Sequence, residues 1–297
     1  MQIELPGIPL QPISDAITTA KGIQLYMLRT DMNHPHISGN KLYKLKYNLE
    51  AANRANKNVL LTFGGAYSNH IAAVAAAGKT YGFKTIGIIR GEQCEILNPT
   101  LEFACSQGMH LEYVSRDLYR QKEMLLQQIK KKYGDEVFII PEGGSNELGV
   151  LGCKEIVRHI PIHFDHICCA CGTGTTLSGI ILSLKDVQKA LGIQVLKAPE
   201  YIQQEVKRQL QNAGQNKTNW CVWDNYHFDG YAKIKTELIT FIEQFENSQR
   251  IPLDPVYTGK MMYGLYDLIQ QDYFKKGETI VAVHTGGLQG RNRMRGF

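Results

Sequence analysis

An α/β chain of parallel sheets flanked by helices is what this sequence predicts, and two observations carry that expectation. Apolar runs of strand length alternate with segments of helical periodicity along nearly the whole chain. The glycine-rich turns fall where such strands end and the next helix begins, which is where ligands sit in parallel α/β units. At 297 residues, with 43% hydrophobic and 21% charged, the chain can bury one large core or two medium ones. Its Gly 28 against Pro 10 points to tight backbone turns rather than disordered linkers.

In order, residues 23–28 read as a strand, and Leu42, Leu45, Leu49 and Ala52, at three- or four-residue steps, as a helix. Strands follow at 58–63, 84–89, 110–114 and 137–140, separated by helices at 68–79, 99–107 and 121–133. A second series has helix 149–159, strand 166–170, helix 175–184, strand 194–196 and helix 202–210. Helices 233–247 and 259–270 and strand 279–284 complete it, with no internal repeat. Two α/β units are implied.

Composition removes several functional classes. The net charge of +5 is spread out; only Arg291, Arg293 and Arg295 cluster, as a solvated tail rather than a nucleic-acid patch. Residues 1–10 lack the basic start and apolar core of a signal peptide, and no apolar run approaches the ~20 residues a membrane span needs. The seven cysteines lack framework spacing, and Cys168, Cys169 and Cys171 share one apolar run. Reduced, buried thiols in a cytoplasmic protein are expected, and no metal site.

The residues that carry chemistry lie at the expected strand and helix ends. Lys41, in Ser38-Gly39-Asn40-Lys41-Leu42-Tyr43-Lys44, stands at a helix N-terminus, where a cation opposes the helix dipole; a surface lysine is the plain alternative. In Gly64-Gly65-Ala66-Tyr67-Ser68-Asn69-His70, Ser68 is either a simple N-cap or part of a carboxylate seat. The run from Cys171 through Gly172, Thr173, Gly174, Thr175 and Thr176 opens a helix in the manner of a phosphate cradle. It is not a Walker loop, and Leu177 stands where a dinucleotide fingerprint wants its third glycine. Asp254-Pro255-Val256-Tyr257-Thr258-Gly259-Lys260 and His284-Thr285-Gly286-Gly287 add two further hydroxyl-glycine turns. Together these describe a site for a phosphorylated cofactor with a reactive aldehyde.

Those segments, with Pro141-Glu142-Gly143-Gly144-Ser145, resemble the pyridoxal-phosphate enzymes of the 1-aminocyclopropane-1-carboxylate deaminase and D-cysteine desulfhydrase family, collinearly from about Leu5 onward. The resemblance implies a two-domain tryptophan-synthase-β-like fold, type II among pyridoxal-phosphate enzymes. Residues 1–45 and 149–297 would form a large cofactor-binding domain and 46–148 a small α/β domain, with the cofactor between them. Lys41 would carry the cofactor covalently and act as general base, and Lys44 would contact its phosphate together with Gly172, Thr173, Gly174, Thr175 and Thr176. Asn69 would bond the cofactor's phenolic oxygen and face the substrate. Ser68 and His70 would hold the substrate carboxylate, Tyr257 would stack near or reach the reacting substrate, Ser68 and Tyr257 would join Lys41 as catalytic residues, and Thr258 and Thr285 would contact the cofactor. Family resemblance also favours a homodimer.

Within that family, the ring-opening deaminases carry a glutamate where this chain has Thr258 and a leucine where it has Thr285. Two neutral hydroxyls there point to β-elimination from D-cysteine or a related β-substituted D-amino acid, giving pyruvate, sulfide and ammonia. Ring-opening deamination and cofactor binding without turnover stand as alternatives. A nicotinamide-binding oxidoreductase is disfavoured, since no acidic residue ends a strand after a complete glycine fingerprint. Ala66-Tyr67, Thr30 and Ser38 depart from the family pattern, and Tyr67 would reshape the substrate pocket.

Overall fold

The computed structural model describes residues 1–93, 95–289 and 291. Arg293 and Arg295 of the expected basic cluster lie outside the described residues. Two sheets organise the chain. β1 (Leu10–Ile13) and β2 (Gln24–Leu28) start the larger one. β3 (Val59–Gly65), β4 (Lys84–Arg90), β5 (Met109–Val114) and β6 (Val137–Ile140) make the smaller. β7 (His166–Cys171), β8 (Lys189–Gln194), β9 (Trp220–Trp223) and β10 (Thr279–Val283) return to the larger.

The small sheet runs β5-β4-β3-β6 and is parallel throughout. The large sheet runs β1-β2-β10-β7-β8-β9 and is parallel except at its edge, where β1 pairs antiparallel with β2. Parallel strands are covered on both faces, and β7 shows how the sequence meets that demand. All six residues of His-Ile-Cys-Cys-Ala-Cys are buried. Cys168 and Ala170 pack with Met261, Met262 and Leu265 of the helix Thr258–Gln270. Ile167, Cys169 and Cys171 face the other way, onto Leu177, Ile180 and Ile181 of the helix Thr175–Ile181. The thiols serve here as small apolar groups, and burial pushes those of Cys168 and Cys153 above their usual range.

Several expected elements differ in detail. The strand expected at 194–196 is β8, which begins at Lys189 and ends at Gln194 because its register follows β7, from His166 opposite Lys189 to Cys171 opposite Gln194. Gln194 then leaves the sheet: its amide donates to Leu196 O and Ala198 O, and its Oε1 accepts from Ile202 N. The helix expected over 149–159 is an α-helix, Glu147–Cys153, followed by 3-10 turns, Lys154–His159. The short edge strands β1 and β9 and the helix Ala16–Lys21 had no counterpart in the sequence reading.

Two helices pack closely where the chain passes between the two sheets. The helix Asn40–Arg54 crosses the helix Glu147–Cys153 so closely that a Cβ at Gly152 would lie 1.8 Å from Tyr43 O. Both domain boundaries expected from the sequence fall inside this pair. Among the described residues no helix is long and apolar enough to cross a membrane, and no group of acidic, histidine or cysteine side chains is arranged to hold a metal ion.

Candidate active site

A cavity of about 770 Å³ opens between the C-terminal ends of β3 and β7. Lys41 enters it from the first turn of the helix Asn40–Arg54. That helix starts at Gly39, whose φ of 73 and ψ of -144 suit glycine alone, and a Cβ there would lie 2.1 Å from Thr285 O. The close approach sets Asn40 N against Thr285 O at 3.3 Å, so Lys41 and the turn after β10 meet on one wall.

Asn40 links the lysine to the phosphate cradle. Lys41 Nζ donates to Asn40 Oδ1 at 2.9 Å, while Asn40 Nδ2 donates to Thr176 Oγ1 at 2.8 Å. Burial, and after it the charge of Lys44, draws the Lys41 amine down to about 7. At neutral pH a large share of it is therefore the free, nucleophilic amine that adds to an aldehyde.

Lys44, one turn further on, is almost fully buried and donates to Gly143 O at 3.1 Å and to Thr173 Oγ1 at 3.3 Å. No carboxylate among the described residues pairs with it, and burial lowers its pKa. A buried ammonium is costly without an opposite charge, so this position calls for an anion. Gly172, Thr173, Gly174 and Thr176 line the same end of the cavity. Thr175 does not: it is fully buried, and its hydroxyl donates to Ser145 Oγ at 2.9 Å. The arrangement fits a phosphate held by Lys44, backbone amides and the hydroxyls of Thr173 and Thr176.

At the other end, Ser68 combines the two readings set against each other in the sequence. Its Oγ caps the helix Asn69–Tyr81, accepting from His70 N at 3.2 Å and Ile71 N at 3.4 Å, and the residue also lines the cavity. Asn69 and His70 line it too. His70 Nε2 lies 2.9 Å from Thr62 Oγ1. Burial and the charges of Lys41 and Lys44 hold the His70 ring well below its usual pKa, so it is neutral and offers a hydrogen bond rather than a charge.

Tyr257 lies over Gly172, where a Cβ would come within 3.2 Å of its ring. Its phenol is kept protonated by burial and by Tyr231, whose ring meets it nearly edge-on at 6.0 Å between centroids. Thr258, next in sequence, is turned away from the cavity. Its hydroxyl donates to Asp254 Oδ1 at 2.7 Å and accepts from Asp254 N at 2.9 Å, and it is absent from the cavity wall. The buried Asp254 carboxylate also accepts from the backbone N–H groups of Val256, Tyr257 and Thr258 and so anchors the start of the helix Thr258–Gln270. Thr285 does line the cavity.

Sequence reasoning missed Tyr231, and assigned no role to Arg90, Glu142 or Ser145, all of which border the cavity. Tyr231 lies in an irregular segment with no periodicity to mark it, and Gly230 before it was the only local signal. Glu142 is the only carboxylate on the wall among the described residues, and Lys122 Nζ pairs with it at 3.0 Å.

The site can be set beside known proteins. The profile of the family described as Pyridoxal-phosphate dependent enzyme matches residues 5–286. The chain is 31% identical over 315 residues to a bifunctional D-cysteine desulfhydrase/1-aminocyclopropane-1-carboxylate deaminase of Arabidopsis thaliana, covering 96% of this chain and 75% of that one. It is 27% identical over 308 residues to a D-cysteine desulfhydrase of Yersinia enterocolitica, covering 94% of this chain and 91% of that one. The crystal structure of an ACC deaminase homologue superposes with a TM-score of 0.83 at 30% identity, covering 98% of this chain and 93% of that one. The fold is thus that of the type II pyridoxal-phosphate enzymes. The chain belongs to their 1-aminocyclopropane-1-carboxylate deaminase and D-cysteine desulfhydrase family and is a pyridoxal-phosphate dependent enzyme.

The depressed Lys41 pKa has a measurable consequence for cofactor loading. Capture of pyridoxal phosphate by cofactor-free protein is expected to quicken by up to about tenfold per pH unit below about 7, where the free-amine fraction grows, and to level off above it. Growth of the visible absorption band after mixing reads this directly. A flat rate across that range would contradict the assignment of Lys41 as the reacting amine.

Proposed function

We propose that the chain catalyses β-elimination from D-cysteine, or a related β-substituted D-amino acid, giving pyruvate, sulfide and ammonia with uptake of one water. The bound cofactor supplies an electron sink at the substrate's α-carbon. Lys41 and Lys44, with Gly172, Thr173, Gly174 and Thr176, are the groups that would hold it.

Ser68, Asn69 and His70 receive the substrate carboxylate, through a hydroxyl, an amide and a neutral ring. The Lys41 amine, with its lowered pKa, takes the proton from the α-carbon. The Tyr257 phenol, held in its protonated form on the cavity wall, would be the group that donates to the departing sulfur. The proposal carries with it the homodimer implied by resemblance and the cytoplasmic setting expected from the cysteine pattern; sedimentation equilibrium reads the first.

One observation favours elimination over ring opening. Thr285, a neutral residue, lines the cavity, and the only carboxylate on the wall among the described residues, Glu142, pairs with Lys122. A wall without a free acid gives little support to a protonated pyridine nitrogen, and with it to the long-lived charge that ring opening needs. Thr258 contributes through Asp254 rather than by touching the cavity, so Thr285 carries more of this argument than the sequence suggested. The second reading, ring-opening deamination, draws on the names of the relatives.

The two are separated by product. Sulfide and pyruvate from D-cysteine should form at least about 100-fold faster than 2-oxobutyrate from 1-aminocyclopropane-1-carboxylate, a gap of ~3 kcal/mol in barrier. Comparable rates on both substrates would overturn the reading.

A further inference from the structure

Lys260 lies in the first turn of the helix Thr258–Gln270 and is completely buried, beside Met261 and Met262 of the core. Its ammonium does not enter the cavity. It donates instead to two backbone carbonyls, His227 O and Gly230 O, each at 2.8 Å. Burial pulls its pKa down to about 8, opposed by the Asp254 carboxylate. A cation placed at such cost in a core calls for something that only it can do there.

What it holds is a strained segment. Phe228, Asp229 and Ala232 have φ of 52, 69 and 56, and Gly230 has 127. Non-glycine residues in that region persist only where their surroundings impose it. The same helix supplies a second restraint, since the Phe228 ring meets Tyr263 edge-on at 4.9 Å between centroids. Between the strained residues stands Tyr231, which lines the cavity and meets Tyr257 at the start of that helix.

We propose that Lys260 is a positioning residue: by gripping the carbonyls of His227 and Gly230 it holds the strained segment so that Tyr231 stands against Tyr257 at the cavity wall. The inference rests on the cavity's being the site of amino-acid turnover, whichever of elimination or ring opening takes place there.

The test compares cofactor-loaded wild type, Lys260→Met, Tyr231→Ala and the double variant, each with the visible band as a check of loading. Two readouts are taken: hydrogen exchange of the amides of residues 228–232, and kcat and KM on D-cysteine or 1-aminocyclopropane-1-carboxylate, whichever is turned over. Lys260→Met is expected to speed exchange in that segment at least tenfold while the band persists, and to lower kcat about tenfold or more. In the Tyr231→Ala background the same substitution should change kcat less than twofold.

Unchanged exchange in Lys260→Met would overturn the proposal, as would an equal loss of kcat in both backgrounds. If Lys260→Met does not fold, Tyr263→Leu, which loosens the same segment without touching the buried amine, enters the cycle with the same expectations. If neither substrate is turned over, the reading of function fails by itself. The exchange measurement, with the spectral Kd for D-cysteine in each variant, then decides the inference: faster exchange with a Kd weakened in the Tyr231 background alone as much as in the double variant supports it.

Discussion

Replacing Lys41 with alanine in the loaded enzyme is expected to abolish the visible absorption band and to lower amino-acid turnover by ~10³-fold or more. Two functions are lost together. On the proposed reading the amine anchors the cofactor and moves the proton at the substrate's α-carbon. Its neighbours offer no replacement: the Lys44 amine is engaged with Gly143 O and Thr173 Oγ1, and the His70 ring is held against Thr62. A variant that keeps both the band and its turnover would remove Lys41 from the mechanism.

The same residue should also cost the cofactor-free protein stability, in a pH-dependent way. The Lys41 pKa falls from 10.5 to about 7 on folding, so between those values the unfolded chain binds more protons than the folded one. Stability therefore rises with pH across that window, and below about 7 the full cost of enclosing the ammonium is present. Lys41→Met keeps the aliphatic stem and removes the charge. Its cofactor-free form is expected to exceed wild type by on the order of 1–3 kcal/mol at pH about 6, after allowance for solvent at the cavity mouth. The advantage should fade toward pH about 10, as urea midpoints would report. Equal midpoints at pH about 6 would contradict it.

The second large effect is expected at Gly152. A methyl group there would meet Tyr43 O at 1.8 Å, backbone against side chain, with no flexible group to yield. Gly152→Ala must therefore push the helix Glu147–Cys153 away from the helix Asn40–Arg54, at a cost of ~3 kcal/mol or more. Because the helix Asn40–Arg54, which loses this packing, carries Lys41 and Lys44, cofactor affinity should fall along with the thermal midpoint. Gly7→Ala is the control, since nothing lies within 4 Å of a Cβ at that position. An unchanged midpoint in Gly152→Ala would show that the two helices do not pack as described.

How much of this was legible beforehand depended on what each residue's neighbours along the chain reveal. Lys41, Lys44, Ser68 and Gly172 to Thr173 announced themselves because glycine turns and helix starts are local features, written within a few residues. Thr258 did not: its place in a motif gives an address but not a side-chain direction, and Asp254, four residues earlier, claims its hydroxyl. Tyr231 was invisible because the segment that presents it is held by Lys260, some thirty residues on in sequence. The misplaced strand at 194–196 has a similar cause. Its apolar residues continue past Gln194, but the bond from Val195 N to Cys171 O, at the last residue of β7, ends the pairing, and hydrogen bonds from the Gln194 side chain turn the chain. Edge strands such as β9, with four residues, owe their existence to the neighbour they pair with rather than to their own pattern.

The order of strands in the large sheet bears on how the protein comes into being. β10, the last strand among the described residues, inserts between β2 and β7 rather than adding at an edge. While the chain is still being made, β2 and β7 have a gap between them, with unpaired edges facing it. The helix Asn40–Arg54 likewise lacks its contact with Thr285 until that last strand is in place. A growing chain therefore cannot assemble the cofactor site early, and loading must follow release of the strand from the ribosome. During that interval the open edges are points at which a holding chaperone, or a second unfinished chain, would bind.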